Sequence, residues 1–217
     1  MPSPETLALF ALAGIALVAA PGPAVTFILA TTLRHGRGPG LAATAGVELG
    51  NTVHVLAAAV GVSAVVAASA TAFSAIKVAG AAWLLWLAVR AWGARTPGTL
   101  AQVAPPETAP AGSATARRAA QVRAGFLVGT LNPKTALFFL ALLPQFVRPD
   151  AGAAWSQMLV LGLVFVALAT VGDSIWALGG GAVRGALPGV RMVVLDRVSA
   201  AVYAALGLVT LTVRRVA

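Results

Sequence analysis

Glu48, Lys134 and Asp173 are charged residues set within hydrophobic stretches. A charge at the centre of a bilayer costs about 2.5–3.5 kcal/mol on insertion scales, so such a residue normally faces a cavity or a partner. Burial disfavours the ionised form of a carboxylate, which makes Glu48 and Asp173 the candidate carriers of a coupling proton or cation. The alternative is a permanent buried ion pair of either with Lys77, Lys134 or Arg197. Lys134 directly follows Asn132-Pro133, and its ammonium suits either a substrate carboxylate or the charge of Asp173. Asn132 offers a donor and an acceptor with which to hold a broken turn. Glu48, Asn51, Thr52 and Val55 fall at i, i+3, i+4 and i+7, one face of a helix. Gly46 and Gly50 lie on roughly the opposite face as a small-xxx-small pair, fit for close contact inside the chain or in a homodimer. His54 sits near that stripe and suits an interhelical hydrogen bond better than a proton relay. Lys77 and Arg197 come early in their helices and reach toward the interface, while Trp83, Trp86, Trp92, Trp155 and Tyr203 lie mostly toward helix ends, as interfacial anchors do.

The elements that must position these groups are apolar runs broken twice, at Pro21-Gly22-Pro23 and at Asn132-Pro133-Lys134. Within a bilayer an unwound turn persists only where protein or a water-filled cavity satisfies the freed backbone groups. Pro21, Gly22, Pro23, Asn51, Asn132, Pro133 and Lys134 are therefore the candidate substrate-binding residues. Composition demands the membrane: 59% of the residues are hydrophobic and 10% charged, against about 25% charged in an ordinary soluble domain, with a mean hydropathy of +0.90. The net charge of +9 is scattered between hydrophobic runs and not gathered into a patch, which argues against a nucleic-acid partner. Cysteine is absent, and the sequence carries no Walker pattern, no Ser/His/Asp constellation and no metal-ligand cluster. No cofactor and no enzymatic activity are expected.

Stretches long enough to span about 30 Å of hydrocarbon fall near 5–33, 40–68, 72–93, 120–147, 155–181 and 193–213. The expected fold is an all-α integral membrane protein of six transmembrane helices: a first three-helix repeat over 1–93, a linker over 94–119 containing Pro97, Pro105, Pro106 and Pro110, and a second repeat over 120–217. The start of the chain lacks a basic n-region, so it reads as a retained first helix. Arg34 and Arg37, then Arg90, Arg95, Arg117, Arg118 and Arg123, then Arg184 and Arg191 mark the first, third and fifth loops as cytoplasmic, whereas the Thr71–Ser74 turn carries no basic residue. Both termini are then expected outside, with Arg214 and Arg215 pointing mildly the other way.

The halves match in spacing. Gly14 precedes Pro21 by seven residues and Gly125 precedes Asn132 by seven; Phe27 follows Gly22 by five and Phe138 follows Pro133 by five. Gly50-Asn51 matches Gly172-Asp173, and Lys77, Gly80-Ala81, Trp83 matches Arg197, Ala200-Ala201, Tyr203. Because each half has an odd number of spans, the repeats are inverted, as in alternating-access carriers.

Pro21-Gly22-Pro23, Lys77-x-x-Gly80-Ala81-x-Trp83-Leu84, and the run from Gly125-Phe126 through Asn132-Pro133-Lys134 to Phe138-Phe139 and Pro144-Gln145-Phe146 together resemble the LysE/RhtB amino-acid exporter family over nearly the whole chain. The resemblance implies a multi-pass protein of the bacterial cytoplasmic membrane. It would expel amino acids or related small metabolites, driven by a proton or cation gradient. Asn51 departs from the pattern, standing where many members are expected to have an acidic residue. The competing readings are a passive channel and a cation or metal exporter, for which two intramembrane carboxylates are few.

Overall fold

The computed structural model describes residues 1–62, 70–93, 113–183 and 192–212, and the regular structure among them is helical throughout. Most of the expected linker, with Arg95, and also Arg184, Arg191, Arg214 and Arg215, lies outside the described residues. The helices are α1 (Pro4–Ala19), α2 (Pro23–His35), α3 (Arg37–Ala57), α4 (Ala70–Gly93), α5 (Ala114–Thr130), α6 (Pro133–Leu137), α7 (Ala154–Val183) and α8 (Met192–Thr212). A π turn at Ala58–Val62 extends α3, and α6 continues through a π turn at Phe138–Leu142 into a 3₁₀ turn at Leu143–Phe146.

Local chemistry sets the starts of these helices. Ser3 and Ser113 accept from the backbone N–H of Thr6 and Ala116, each at 3.2 Å, and Asn132 accepts from Lys134 N–H at 3.1 Å, each satisfying a donor that the first turn orphans. Pro4, Pro23 and Pro133 occupy first-turn positions where the missing N–H does no harm. The chain bends by 51° between α1 and α2 and by 42° between α5 and the segment beginning at α6. Among the described residues, Ala154–Gly180 is the one helix long and apolar enough to cross a membrane unaided, and each bent pair qualifies when its two pieces are joined.

Two expected boundaries move. Thr71–Ser74, read as a turn, forms the first turn of α4, and 114–119, read as the end of the linker, belong to α5. That segment is exposed and was missed because hydropathy defined the spans. Ser113 caps it, and the Ala, Arg and Gln that follow favour helix without being apolar. Tyr203 also differs: it is buried in the core and not at an interface, whereas Trp86, Trp92 and Trp155 are exposed.

α3 and α5 meet backbone to backbone. A Cβ on Gly46 would stand 2.1 Å from Val122 O, one on Gly50 2.5 Å from Thr130 N, one on Gly125 2.3 Å from Ala43 O and one on Gly129 2.3 Å from Val47 O. The two helices therefore run parallel with backbones touching, and the Gly46/Gly50 stripe is used inside the chain. α7 runs antiparallel to α3, meeting Val55 at Gly162, and alongside α1 and α2, meeting Val18 at Gly172 and Leu29 at Gly180. α4 packs on α8. Near the N-terminal end Phe10, Phe138, Phe139 and Phe165 pack ring on ring with centroids 5.1–5.8 Å apart. A smaller cluster of Ala24, Phe27, Ile28, Ala43, Val47 and Ala177 lies toward the opposite end.

Gly46→Ala should destabilise the detergent-purified protein by about 1–3 kcal/mol through overpacking, read as a fall in unfolding temperature. Gly14→Ala, whose Cβ would sit 3.5 Å from Leu168 and Phe165 in ordinary contact, should leave it nearly unchanged. Equal behaviour of the two variants would refute the backbone contact.

Candidate functional site

α1 ends because Pro21 and Pro23 supply no N–H to continue its ladder, and the Ala20 N–H closes the last turn on Ala16 O and Leu17 O, each at 3.2 Å. Lys134, from the second break, adds a side-chain donor there. Its Nζ donates to Leu17 O at 3.0 Å and to Ala20 O at 2.8 Å, and the buried side chain lies across Gly22, where a Cβ would meet Nζ and Cε at 3.4 Å. One ammonium thus ties the two breaks together and places positive charge at the C-terminal end of the α1 dipole. Neither role proposed from sequence, substrate ligand or partner of Asp173, anticipated this one.

Opposite stand the acceptors. Asn51 and Asp173 are buried on α3 and α7, and Asn51 Nδ2 donates to Glu48 Oε2 at 3.0 Å. The carboxyl of Asp173 stands near enough to that of Glu48 for the two to interact electrostatically. Glu48 Oε1 and Asn51 Oδ1 receive no other donor.

Between these groups is a cavity of about 20 Å³, space for roughly one water and too small for an amino acid. Asn51, Asn132, Lys134 and Asp173 line it together with apolar atoms of Leu17 and Val25. Gly22 lies beneath Lys134 and Glu48 stands behind Asn51. Pro21 lies in the first break, and Pro23 and Pro133 start α2 and α6 instead of lining the cavity. Sequence reasoning missed Thr135, Phe165 and Ala169, which also line it. Ala169 and Phe165 are four and eight residues before Asp173, so the helical repeat from Asp173 could have found them.

The other polar residues have separate duties. His54 Nε2 is 3.2 Å from Gly129 O, an interhelical hydrogen bond, and its ring stacks near Phe139. Arg197 is exposed with its guanidinium 5.8 Å from the Trp92 ring centroid. Buried Gln157 holds the α6–α7 connection, accepting from Arg148 N–H and donating to Arg148 O and Gly152 O. In that connection the Arg148 guanidinium, hydrogen-bonded to Asp150, keeps its carboxyl below the usual range, and the Met1 amine reaches Ala151 O.

The sequence profile of the LysE type translocator family matches residues 15–213. An uncharacterized membrane protein of Vibrio cholerae is 34% identical over 73% of this chain and 73% of its own length. The homoserine/homoserine lactone efflux protein of Salmonella typhimurium is 32% identical over 67% of this chain and 66% of its own. The leucine efflux protein of an Enterobacter species is 29% identical over 67% and 65%. The chain therefore spans about two thirds of the length of the relatives with named activities. No solved structure matches it.

Lys134→Met should remove the side-chain donor from Leu17 O, which keeps the Ala20 N–H, and from Ala20 O, at about 1–3 kcal/mol for a buried group that loses its partner. A clear drop in thermal stability in detergent is expected. Wild-type stability in this variant would remove Lys134 as the clasp of the two breaks.

Proposed function

This chain belongs to the LysE type translocator family, membrane proteins and not enzymes, and on that premise we propose that it exports amino acids or closely related small metabolites across the bacterial cytoplasmic membrane. The observation that carries the reading is the cavity between the two breaks, where a cationic donor, Lys134, faces the acceptors Asn51 and Asp173. An ammonium group has three N–H donors, and Lys134 gives two of them to α1. When the cavity widens beyond the single water it now has room for, the third serves a substrate carboxylate, while the substrate's own ammonium is taken by Asp173 and Asn51 Oδ1. Efflux of homoserine and leucine in the named relatives supports that zwitterion chemistry, whereas homoserine lactone, also named for one of them, has the ammonium but no carboxylate.

In this proposal the chain crosses the membrane six times with both termini outside, and its halves form an inverted repeat. The packing supports that arrangement. α3 on α5 has its counterpart in α7 on α1, and α4 pairs with α8, the exchange of partners that a pseudo-two-fold axis in the membrane plane would produce. The cavity opens to each side in turn, and Glu48 with Asp173 carries the coupling proton.

Cells loaded with dipeptides of each amino acid should export at least one of the released amino acids faster when they express the protein. Asp173→Asn should insert normally and abolish the gradient-driven part. Undiminished export by that variant would remove Asp173 from coupling, and no export above control cells for any amino acid would overturn the reading.

A further inference from the structure

The ground between the acid pair and the two ends of the molecule differs sharply. Toward the N-terminal end it is filled by the rings of Phe10, Phe138, Phe139 and Phe165. Toward the end that bears Arg34, Arg37 and Arg118, the face of α3 below Glu48 carries Thr44 and then Gly40, each four residues apart, a descent of about 12 Å at 1.5 Å per residue. The Thr32 hydroxyl lies against Gly40, where a Cβ would overlap it at 2.0 Å. Arg118 flanks Gly38 immediately beyond.

Hydroxyls in apolar helices normally donate to a carbonyl one turn back. Thr26, Thr44, Thr52, Thr170 and Thr210 all do so. Thr31 and Thr32 do not: both are fully buried or nearly so, and neither Oγ1 has a partner. Buried Gln121 Oε1 on α5, in the turn before Gly125, is also unpartnered. Buried polar atoms left unpaired cost about 1–3 kcal/mol each, and a native chain keeps them where water or an ion completes the set. The apolar cluster at this end is half alanine, with Ala24, Ala43 and Ala177 beside Phe27, Ile28 and Val47, so little side-chain volume must move to admit water.

We infer that the resting protein is closed at its aromatic end and hydrates from its arginine-bearing end, along Thr31, Thr32, Gly40 and Thr44, so that water, hydronium and the substrate's ammonium reach Glu48 from that side. The inference rests on the translocator reading but adds the side of entry and the residues that line it. No titratable group other than Asp173 and Lys134 is needed opposite Glu48, since His54 faces Gly129 and Phe139.

The chain has no cysteine, so single cysteines report accessibility without background. Thr32→Cys, Thr44→Cys and Ala58→Cys would be prepared in right-side-out and inside-out vesicles and treated with a membrane-impermeant cationic methanethiosulfonate. Ala58 is buried in the π turn that extends α3, beyond Val55 and within the aromatic-end core. Thr32→Cys and Thr44→Cys should label at least ten-fold faster from the arginine-bearing side than from the other, and Ala58→Cys should label slowly from both. Equal rates from the two sides, faster labelling of Ala58→Cys, or no labelling of the two threonine positions in protein shown to be folded by gel filtration would overturn the inference. Thr31→Cys repeats the measurement should Thr32→Cys fail to fold. Amino-acid export measured in the same vesicles separates the two claims: one-sided labelling without export counts against the function, and export without one-sided labelling counts against the entry route.

Discussion

The architecture depends on a debt of backbone hydrogen bonds. Two helices are interrupted inside apolar surroundings, and hydrocarbon offers nothing to the carbonyls that each interruption frees. Lys134 settles the account for the first break from within the second, through Leu17 O and Ala20 O. Because that contact joins α1 to α6, it fixes the distance between the breaks and hence the cavity. Asn132 closes its own turn through Lys134 N–H, so the residue that carries the charge is also held in place by its neighbour.

The second constraint is volume. Gly46, Gly50, Gly125 and Gly129 let α3 and α5 meet backbone to backbone, a contact that no side chain at these positions would permit. It turns the opposite face of α3, with Glu48 and Asn51, toward α7 and Asp173. Val55 seats over Gly162 and Val18 over Gly172, so α7 too is positioned by glycines answering valines. The acid pair is thereby a product of packing at residues that carry no charge.

Much of this was legible in the residues. Pro21, Pro23 and Pro133 announce breaks, Gly46 and Gly50 announce a close contact, and the i, i+3, i+4 spacing puts Glu48 and Asn51 on one face. The role of Lys134 was not legible, because its partners are main-chain carbonyls more than a hundred residues away and carbonyls have no sequence signature. Thr71–Ser74 was misread because small polar residues serve a turn or a first helical turn equally well. Residues 114–119 were misread because a hydropathy window sees only the apolar part of a helix. Tyr203 was placed at an interface by residue type, while it is buried in the larger apolar core.

The glycine contact also bears on how the chain is divided. α3 belongs to the first half of the sequence and α5 to the second, yet they meet main chain to main chain. Elsewhere α3 meets its neighbours through side chains, Thr32 of α2 against Gly40 and Val55 against Gly162 of α7. The two halves of the sequence are therefore not separate packing units, since main chain of the one lies directly on main chain of the other.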